Sequence, residues 1–135
     1  MEIQVRNMRP EESYAAVKLA KKSFGIIERL FITKPEAALV AVSDDKIVGG
    51  VFYTIKVSGE KKCGIIDFIF TDSAFQGRGT GKLLCEECIR ILMEQGCDSL
   101  ISFIQGDNAA SWKIFMKNGF VRSSILKAIK LLGID

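Results

Sequence analysis

Residues 76–82 read Gln-Gly-Arg-Gly-Thr-Gly-Lys, three glycines at alternating positions between an apolar run (Cys63 to Thr71) and a long stretch of helical spacing (Gly79 to Gln95). A strand feeding a helix through such a loop leaves few folds open, because the backbone turns tightly and its N–H groups stay uncovered. The helix behind it adds its own unpaired N–H groups and the positive end of its dipole, which makes the junction a cradle for phosphate or pyrophosphate. Arg78 and Lys82 place positive charge at the rim. Two common phosphate patterns do not fit. In a Walker A loop Ser or Thr follows Gly-Lys, and here Lys82 precedes Leu83, with Gln76 where the first glycine belongs. The dinucleotide fingerprint fails because its third glycine arrives one residue early, and because the preceding strand belongs to a meander rather than an opening βαβ unit. Glycines serving only the geometry of a strand-to-helix turn are the alternative reading.

The rest of the chain alternates between the two periods. Ile3 to Met8 reads as a strand, and Pro10-Glu11-Glu12 opens a helix with proline and acids in its first turn. Ala16, Val17, Ala20 and Phe24 give that helix an apolar face, Gly25 interrupts it, and Ile26 to Phe31 reads as a second short helix before Pro35. Ala38 to Val42 and Ile47 to Val57 are strands split by the polar turn Ser43-Asp44-Asp45-Lys46, and Ser58-Gly59-Glu60-Lys61 turns into the run from Cys63. These three strands form an antiparallel meander. After the long helix, which Gly96 terminates, come a strand (Ser99 to Ile104), a helix (Asn108 to Asn118, capped by Asp107 or Asn108 and ended by Gly119) and an extended run from Phe120 to Leu132. The order predicts a mixed α/β sandwich, with helices on both faces of one sheet, filling residues 1–135 as a single domain without repeats or linkers.

Composition narrows the chemistry. There is no histidine among the 135 residues, which removes Ser-His and Cys-His triads and most catalytic zinc sites, so a general base is a carboxylate, tyrosine, lysine or water. The net charge of +3 suits a small anionic ligand but not a nucleic-acid partner. No apolar run is long enough for a membrane span, and the N-terminus alternates like a strand rather than a signal peptide, which points to the cytoplasm. Cys85-Glu86-Glu87-Cys88 is formally C-x-x-C, yet Leu84, Cys88, Ile91 and Leu92 share a helix face, so Cys88 reads as core. Cys63 and Cys97 do not form the close second pair of a four-thiolate zinc site, and no metal is expected.

Two segments together resemble the GCN5-related N-acetyltransferases, the GNAT family. The family signature [Gln/Arg]-x-x-Gly-x-[Gly/Ala] is met in full by Gln76-Gly77-Arg78-Gly79-Thr80-Gly81. A second, Asn-x-x-[Ala/Ser]-x-x-apolar-[Tyr/Phe]-x-Lys-x-Gly-Phe, appears as the run from Asn108 through Ser111, Phe115, Lys117 and Gly119 to Phe120. The order of elements is also the family's, so the resemblance covers essentially the whole chain. It implies a single mixed, mostly antiparallel sheet and acetyl-CoA as cosubstrate. Gly77, Arg78, Gly79, Thr80, Gly81 and Lys82 would offer N–H groups to the pyrophosphate. Ile69, Phe70 and Thr71 would pair with the pantetheine arm as an added strand and polarise the thioester carbonyl. Asn108 matches an asparagine that contacts the cofactor arm, and reads equally well as a helix cap; Ser111 and Phe115 belong to the same cofactor-facing helix.

The reaction the resemblance implies is direct attack of a neutral amine on the thioester, which requires a group to take the amine's proton. Asp67, an acid inside the apolar run Gly64 to Phe70, stands where many relatives carry a glutamate, and burial would raise its pKa toward that useful to a base. Its other reading is a carboxylate on the solvent face or paired with a lysine. Phe115 stands where many relatives have a tyrosine acid, and Tyr53, on the neighbouring strand, is a weaker source of a hydroxyl, with packing as its alternative. Three functions follow: an acetyltransferase acting on an amine acceptor; a catalytically weak acyl-CoA-binding sensor or regulatory module, suggested by Phe115; and a nucleotide-phosphate enzyme, for which a Walker residue is missing. The acceptor site would involve Phe24 to Pro35 and Val121 to Asp135, and the run from Ile125 to Leu132 would extend a sheet across a homodimer interface.

Overall fold

The computed structural model describes residues 2–103, 109–121, 123, 127, 130 and 132. Its sheet has five strands in sequence order: β1 (Gln4–Asn7), β2 (Ala37–Ser43), β3 (Lys46–Ser58), β4 (Lys61–Thr71) and β5 (Ser99–Ser102). The first four are antiparallel to their neighbours, and β5 runs parallel to β4. The β2–β3 turn is made by Asp44 and Asp45, both with positive φ (49° and 62°), a conformation that follows the strands' own twist and that short polar side chains tolerate.

Helices cover both faces, as the alternation in the strands requires. Ala38 and Val40 of β2 point to one side with Phe52 and Phe70, where α1 (Ser13–Ser23) lies down on its fully buried Ala16 and Ala20. Leu39 and Ala41 point to the other with Val51, Tyr53 and Ile66, against Leu84, Cys85, Cys88 and Leu92 of α3 (Thr80–Glu94) and Phe115 of α4 (Ala109–Lys117). A short α2 (Ile26–Arg29) follows α1. Each large apolar side chain removed from water in these two layers contributes about 1.5–3 kcal/mol.

All four cysteines are free and buried. Cys88 packs in the core as its helical spacing predicts, and so does Cys85. Burial pushes both thiols up to about 12, which keeps them protonated and unreactive at neutral pH. Among the described residues no group of three His, Cys, Asp or Glu is placed to hold a metal ion, and no helix is long and apolar enough to cross a membrane.

The β4–β5 pair is fastened by side chains at both ends. Asp98 N–H donates to the Lys62 carbonyl (2.7 Å), Lys62 N–H donates to Asp98 Oδ2 (2.9 Å), and the Lys62 ammonium donates to the Gln95 carbonyl. Pairing then runs from Cys63↔Ser99 to Ile66↔Ser102, where the Ser102 hydroxyl donates to the Ile66 carbonyl at 3.1 Å. Beyond Ile66 no strand among the described residues pairs with that edge of β4.

One expectation is corrected at the C-terminal end. Phe120, Val121 and Ser123 belong to no strand, and the backbone at Lys127 and Lys130 is helical, not extended. Lysines three apart fit a helical period as readily as a strand of mixed polarity. Leu132 lies in a turn, and the other residues of the Phe120–Leu132 run lie outside the described residues, as do Ile104 and the helix caps expected at Asp107 and Asn108.

Candidate active site

The free edge of β4 runs straight into the glycine loop. After Thr71 the chain makes a single 3-10 turn, Ser73–Phe75, which Asp72 caps by accepting the Ala74 N–H at 2.9 Å. Asp72 N–H donates to the Val48 carbonyl of β3 (2.8 Å). Successive N–H groups of a strand point to opposite edges, so those of Thr71 and Ile69 point away from β3, toward the unpaired side. Phe70, between them, is buried against Phe52.

Gly77 and Gly79 both take positive φ (78° and 80°), and a side chain at either would stand in open space. Gly79 occupies the N-cap of α3 with no side chain to cap the helix, and no N–H from Gly77 to Lys82 donates a hydrogen bond within the described residues. A cluster of unpaired N–H groups at the start of a 15-residue helix is an anion site in waiting. Gly81 differs: its φ is ordinary, and it lets Ile114 of α4 approach to within 3.5 Å of where a Cβ would sit. Thr80 is 2% exposed, and its hydroxyl is buried without a partner among the described residues. At the rim the Gln76 amide donates to the Thr71 carbonyl (3.4 Å), Arg78 lies over the Phe75 ring (5.1 Å), and Lys82 pairs loosely with Glu86 (3.8 Å).

Asp67 sits at a defect in the sheet. Phe52 pairs with Phe68 but Tyr53 pairs with Ile66, so Asp67 is an extra residue on β4 with no partner across the ladder. Such a bulge turns two consecutive side chains to nearly the same side. Phe68 faces α1, where its ring meets Phe24 at 5.4 Å, and Asp67 reaches Thr54, which follows Phe52 by two on that same face of β3. The Thr54 hydroxyl donates to Asp67 Oδ2 at 2.7 Å. Burial pushes the Asp67 carboxyl up from its ordinary value and the Thr54 hydrogen bond opposes this, although the residue keeps contact with solvent. Among the described residues no lysine forms an ion pair with this carboxylate.

The other expected residues are placed less directly. Tyr53 packs on the opposite face, toward α3, 7% exposed and with its phenol pushed up by burial, so it and the Asp67 carboxylate are separated by the sheet. Phe115 is 2% exposed with its ring against Phe120 (4.9 Å). Ser111 is half-buried on α4, and Asn108 lies outside the described residues. Thr54 and Phe24 carry no motif that marks them in the sequence. The hairpin's own count offers a signal for Thr54, since a turn at Ser58–Lys61 sets Thr54 opposite Ile65 and hence diagonal to Asp67.

Residues 3–120 match the sequence pattern of the Acetyltransferase (GNAT) family. The chain belongs to that family. Among curated proteins, "Putative phosphinothricin acetyltransferase YwnH" of Bacillus subtilis (strain 168) is 39% identical over 61 residues, 45% of this chain and 37% of that protein. A mycothiol acetyltransferase of Amycolatopsis mediterranei (strain U-32) is 34% identical over 64 residues, 47% of this chain and 21% of its own length. The chain thus matches well under half the length of these curated relatives. Among solved structures, the NatC complex bound to Gag peptide and CoA superposes with TM-score 0.78 at 22% identity, over 92% of this chain and 87% of the other. The aminoglycoside N-acetyltransferase AAC(6')-Iy in complex with CoA gives TM-score 0.72 at 21% identity, over 91% and 90%. At such identities the likeness establishes the GNAT fold, which has both a peptide-bound and an aminoglycoside-directed protein among its examples.

Proposed function

We propose that this GNAT protein binds acetyl-CoA along the free edge of β4 and transfers the acetyl group to a primary amine in a ternary complex. The observation that carries the reading is continuity: the unpaired edge at Ile69–Thr71 leads directly into the uncapped N–H groups of Gly77–Lys82, and Asp67 stands at the bulge where that edge begins. The pantetheine arm hydrogen-bonds to the edge as a strand would, and the pyrophosphate fills the glycine cradle with Arg78 and Lys82 at its rim. The N–H groups of Ile69 and Thr71 are the available donors for the thioester oxygen as negative charge develops on it. Asp67, directly or through one water, takes the proton of the amine. The neutral nitrogen then bonds to the acetyl carbon and gives its second proton to water, the carbon–sulfur bond breaks, and the electron pair leaves on the thiolate. Phe115 has no proton to give that thiolate, and water supplies it.

The second reading, an acyl-CoA-binding regulatory module with little turnover, is favoured by Phe115, a core residue that cannot serve as an acid. Calorimetry with acetyl-CoA on the native chain and on Gly79→Glu tests the common part: micromolar binding is expected, lost when an anionic side chain enters the cradle. Thiol release from acetyl-CoA in the presence of amines separates the two readings. Binding without release leaves the regulatory module; absence of binding removes both.

A further inference from the structure

Asp67 has an aromatic neighbour, and the segment that follows α1 is rich in exposed apolar side chains and in cations. The bulge sets Asp67 and Phe68 on the α1 face together, and Phe68 meets Phe24 edge-on at the end of α1. From Phe24 the chain enters α2, where Ile26 and Leu30, one helical turn apart, and Phe31 are 78%, 76% and 72% exposed. Three large apolar side chains left in water within six residues mark a binding surface more often than scattered exposure does. The flanking charges are mainly positive: Lys18, Lys21 and Lys22 on α1, then Arg29 and Lys34, all exposed, against Glu28 and Glu36.

We propose that the acceptor is a monoamine carried on an apolar, preferably aromatic body, which lies against Phe24, Phe68, Leu30 and Phe31 while its nitrogen reaches Asp67. This rests on the acetyltransferase reading above and sharpens it. A polycationic acceptor such as a polyamine or aminoglycoside requires a lining of carboxylates to offset several positive charges. Besides Asp67, the segment from Lys18 to Glu36 carries two carboxylates, Glu28 (its Oε2 against Gly25) and Glu36, against five cations, a balance that disfavours a second ammonium group. An apolar body is stabilised by covering side chains that otherwise stay hydrated. A carboxylate on the acceptor is compatible with the same basic surroundings.

The test measures acetyl-CoA affinity by calorimetry and thiol release with 2-phenylethylamine, spermidine and kanamycin. Expected is a kcat/KM for 2-phenylethylamine at least about tenfold above the two polycations, because its ring covers the apolar patch and its single charge avoids the basic rim. The double variant Leu30→Ser/Phe31→Ser, at two exposed positions that the core does not use, is expected to erase most of that preference by raising KM for 2-phenylethylamine, with acetyl-CoA affinity unchanged. Acetyl-CoA binding with spermidine or kanamycin as the better acceptor overturns the apolar acceptor and leaves the acetyltransferase standing. Lack of acetyl-CoA binding, or of thiol release with all three amines, overturns the underlying reading and this inference with it. A native chain that sediments as a dimer, with a double variant that is monomeric and keeps the amine preference, assigns the patch to self-association and overturns the inference as well.

Discussion

The Thr54 hydroxyl donates to Asp67 Oδ2 across 2.7 Å, spanning β3 and β4 diagonally at the residue where their register slips. Two influences on the carboxylate oppose each other there, burial raising its pKa and the Thr54 bond lowering it, with burial the larger. The balance matters because a base is useful when its pKa lies near the working pH but below it. A hydrogen bond to a charged group is worth about 1.5–3 kcal/mol, so its loss is felt. Thr54→Val is expected to move the acid limb of the kcat/KM profile to higher pH, and Thr54→Ser, which keeps the hydroxyl, to return it. Rates with 2-phenylethylamine across the acid-to-neutral range read this directly. A limb that stays in place in Thr54→Val would detach the titration from Asp67.

Replacing the proposed base, Asp67, separates activity from stability. The raised pKa of Asp67 means that the folded chain holds this proton more tightly than the unfolded chain. Stability therefore falls as pH rises from the unfolded value of 3.8 through the folded one, and the deficit persists at neutral pH. Asp67→Asn removes that charge. The expected outcome is a drop in kcat of about 10²–10⁴-fold, the range of a lost general base. Stability at neutral pH is expected to be unchanged or slightly higher, by less than about 1 kcal/mol because solvent screens a partly exposed group. Urea unfolding beside the rate assay checks both; a marked loss of stability would make Asp67 a structural residue.

The glycines of the cradle are not equivalent. Gly79 holds φ at +80° and Gly81 does not need a positive φ, while its added methyl would touch Ile114 at an ordinary 3.5 Å. Gly79→Ala is expected to lower stability by about 1 kcal/mol, the cost of a left-handed conformation for a residue with a Cβ. Gly81→Ala is expected to be neutral or slightly stabilising through helix propensity. Thermal melts of the two variants decide it, and equal losses would contradict the backbone account.

Much of the fold is legible in the residues. The meander from Ala37 to Thr71 announces itself through apolar runs and polar turns, and the glycine loop through its spacing, because both are local patterns. The bulge is not legible. Gly64-Ile65-Ile66-Asp67-Phe68-Ile69-Phe70 is interrupted only by Asp67, and a one-residue slip belongs to the pairing of two strands rather than to either alone. The same slip decides that Asp67 shares a face with Phe68 while Tyr53 packs on the other face of the sheet. The run after Phe120 misleads for a different reason: apolar residues interleaved with Lys127 and Lys130 satisfy two periods at once, and only context selects between them.

The N-terminal strand is tied to the first helix by a paired carboxylate that sets an acid limit on the fold. Arg6 Nη1 and Nη2 donate to the two oxygens of Glu12 at 2.8 Å each, and Glu12 Oε1 also accepts the Arg9 N–H at 2.8 Å. The Arg6 contact first, and the Arg9 N–H with it, pulls the Glu12 carboxyl down from 4.5 to about 2 against the opposing effect of burial. With its folded pKa lowered, this group contributes its full stabilisation above the unfolded value of 4.5 and loses it as pH falls through about 2. Both side chains retain some solvent contact, so the contribution is on the order of 1 kcal/mol rather than the larger value of a buried pair. Glu12→Gln is therefore expected to cost about 1 kcal/mol at neutral pH and much less near pH ~2. Urea midpoints of the two proteins under these conditions should converge on the acid side, and a gap that stays constant with pH would assign the effect of Glu12 to packing instead of charge.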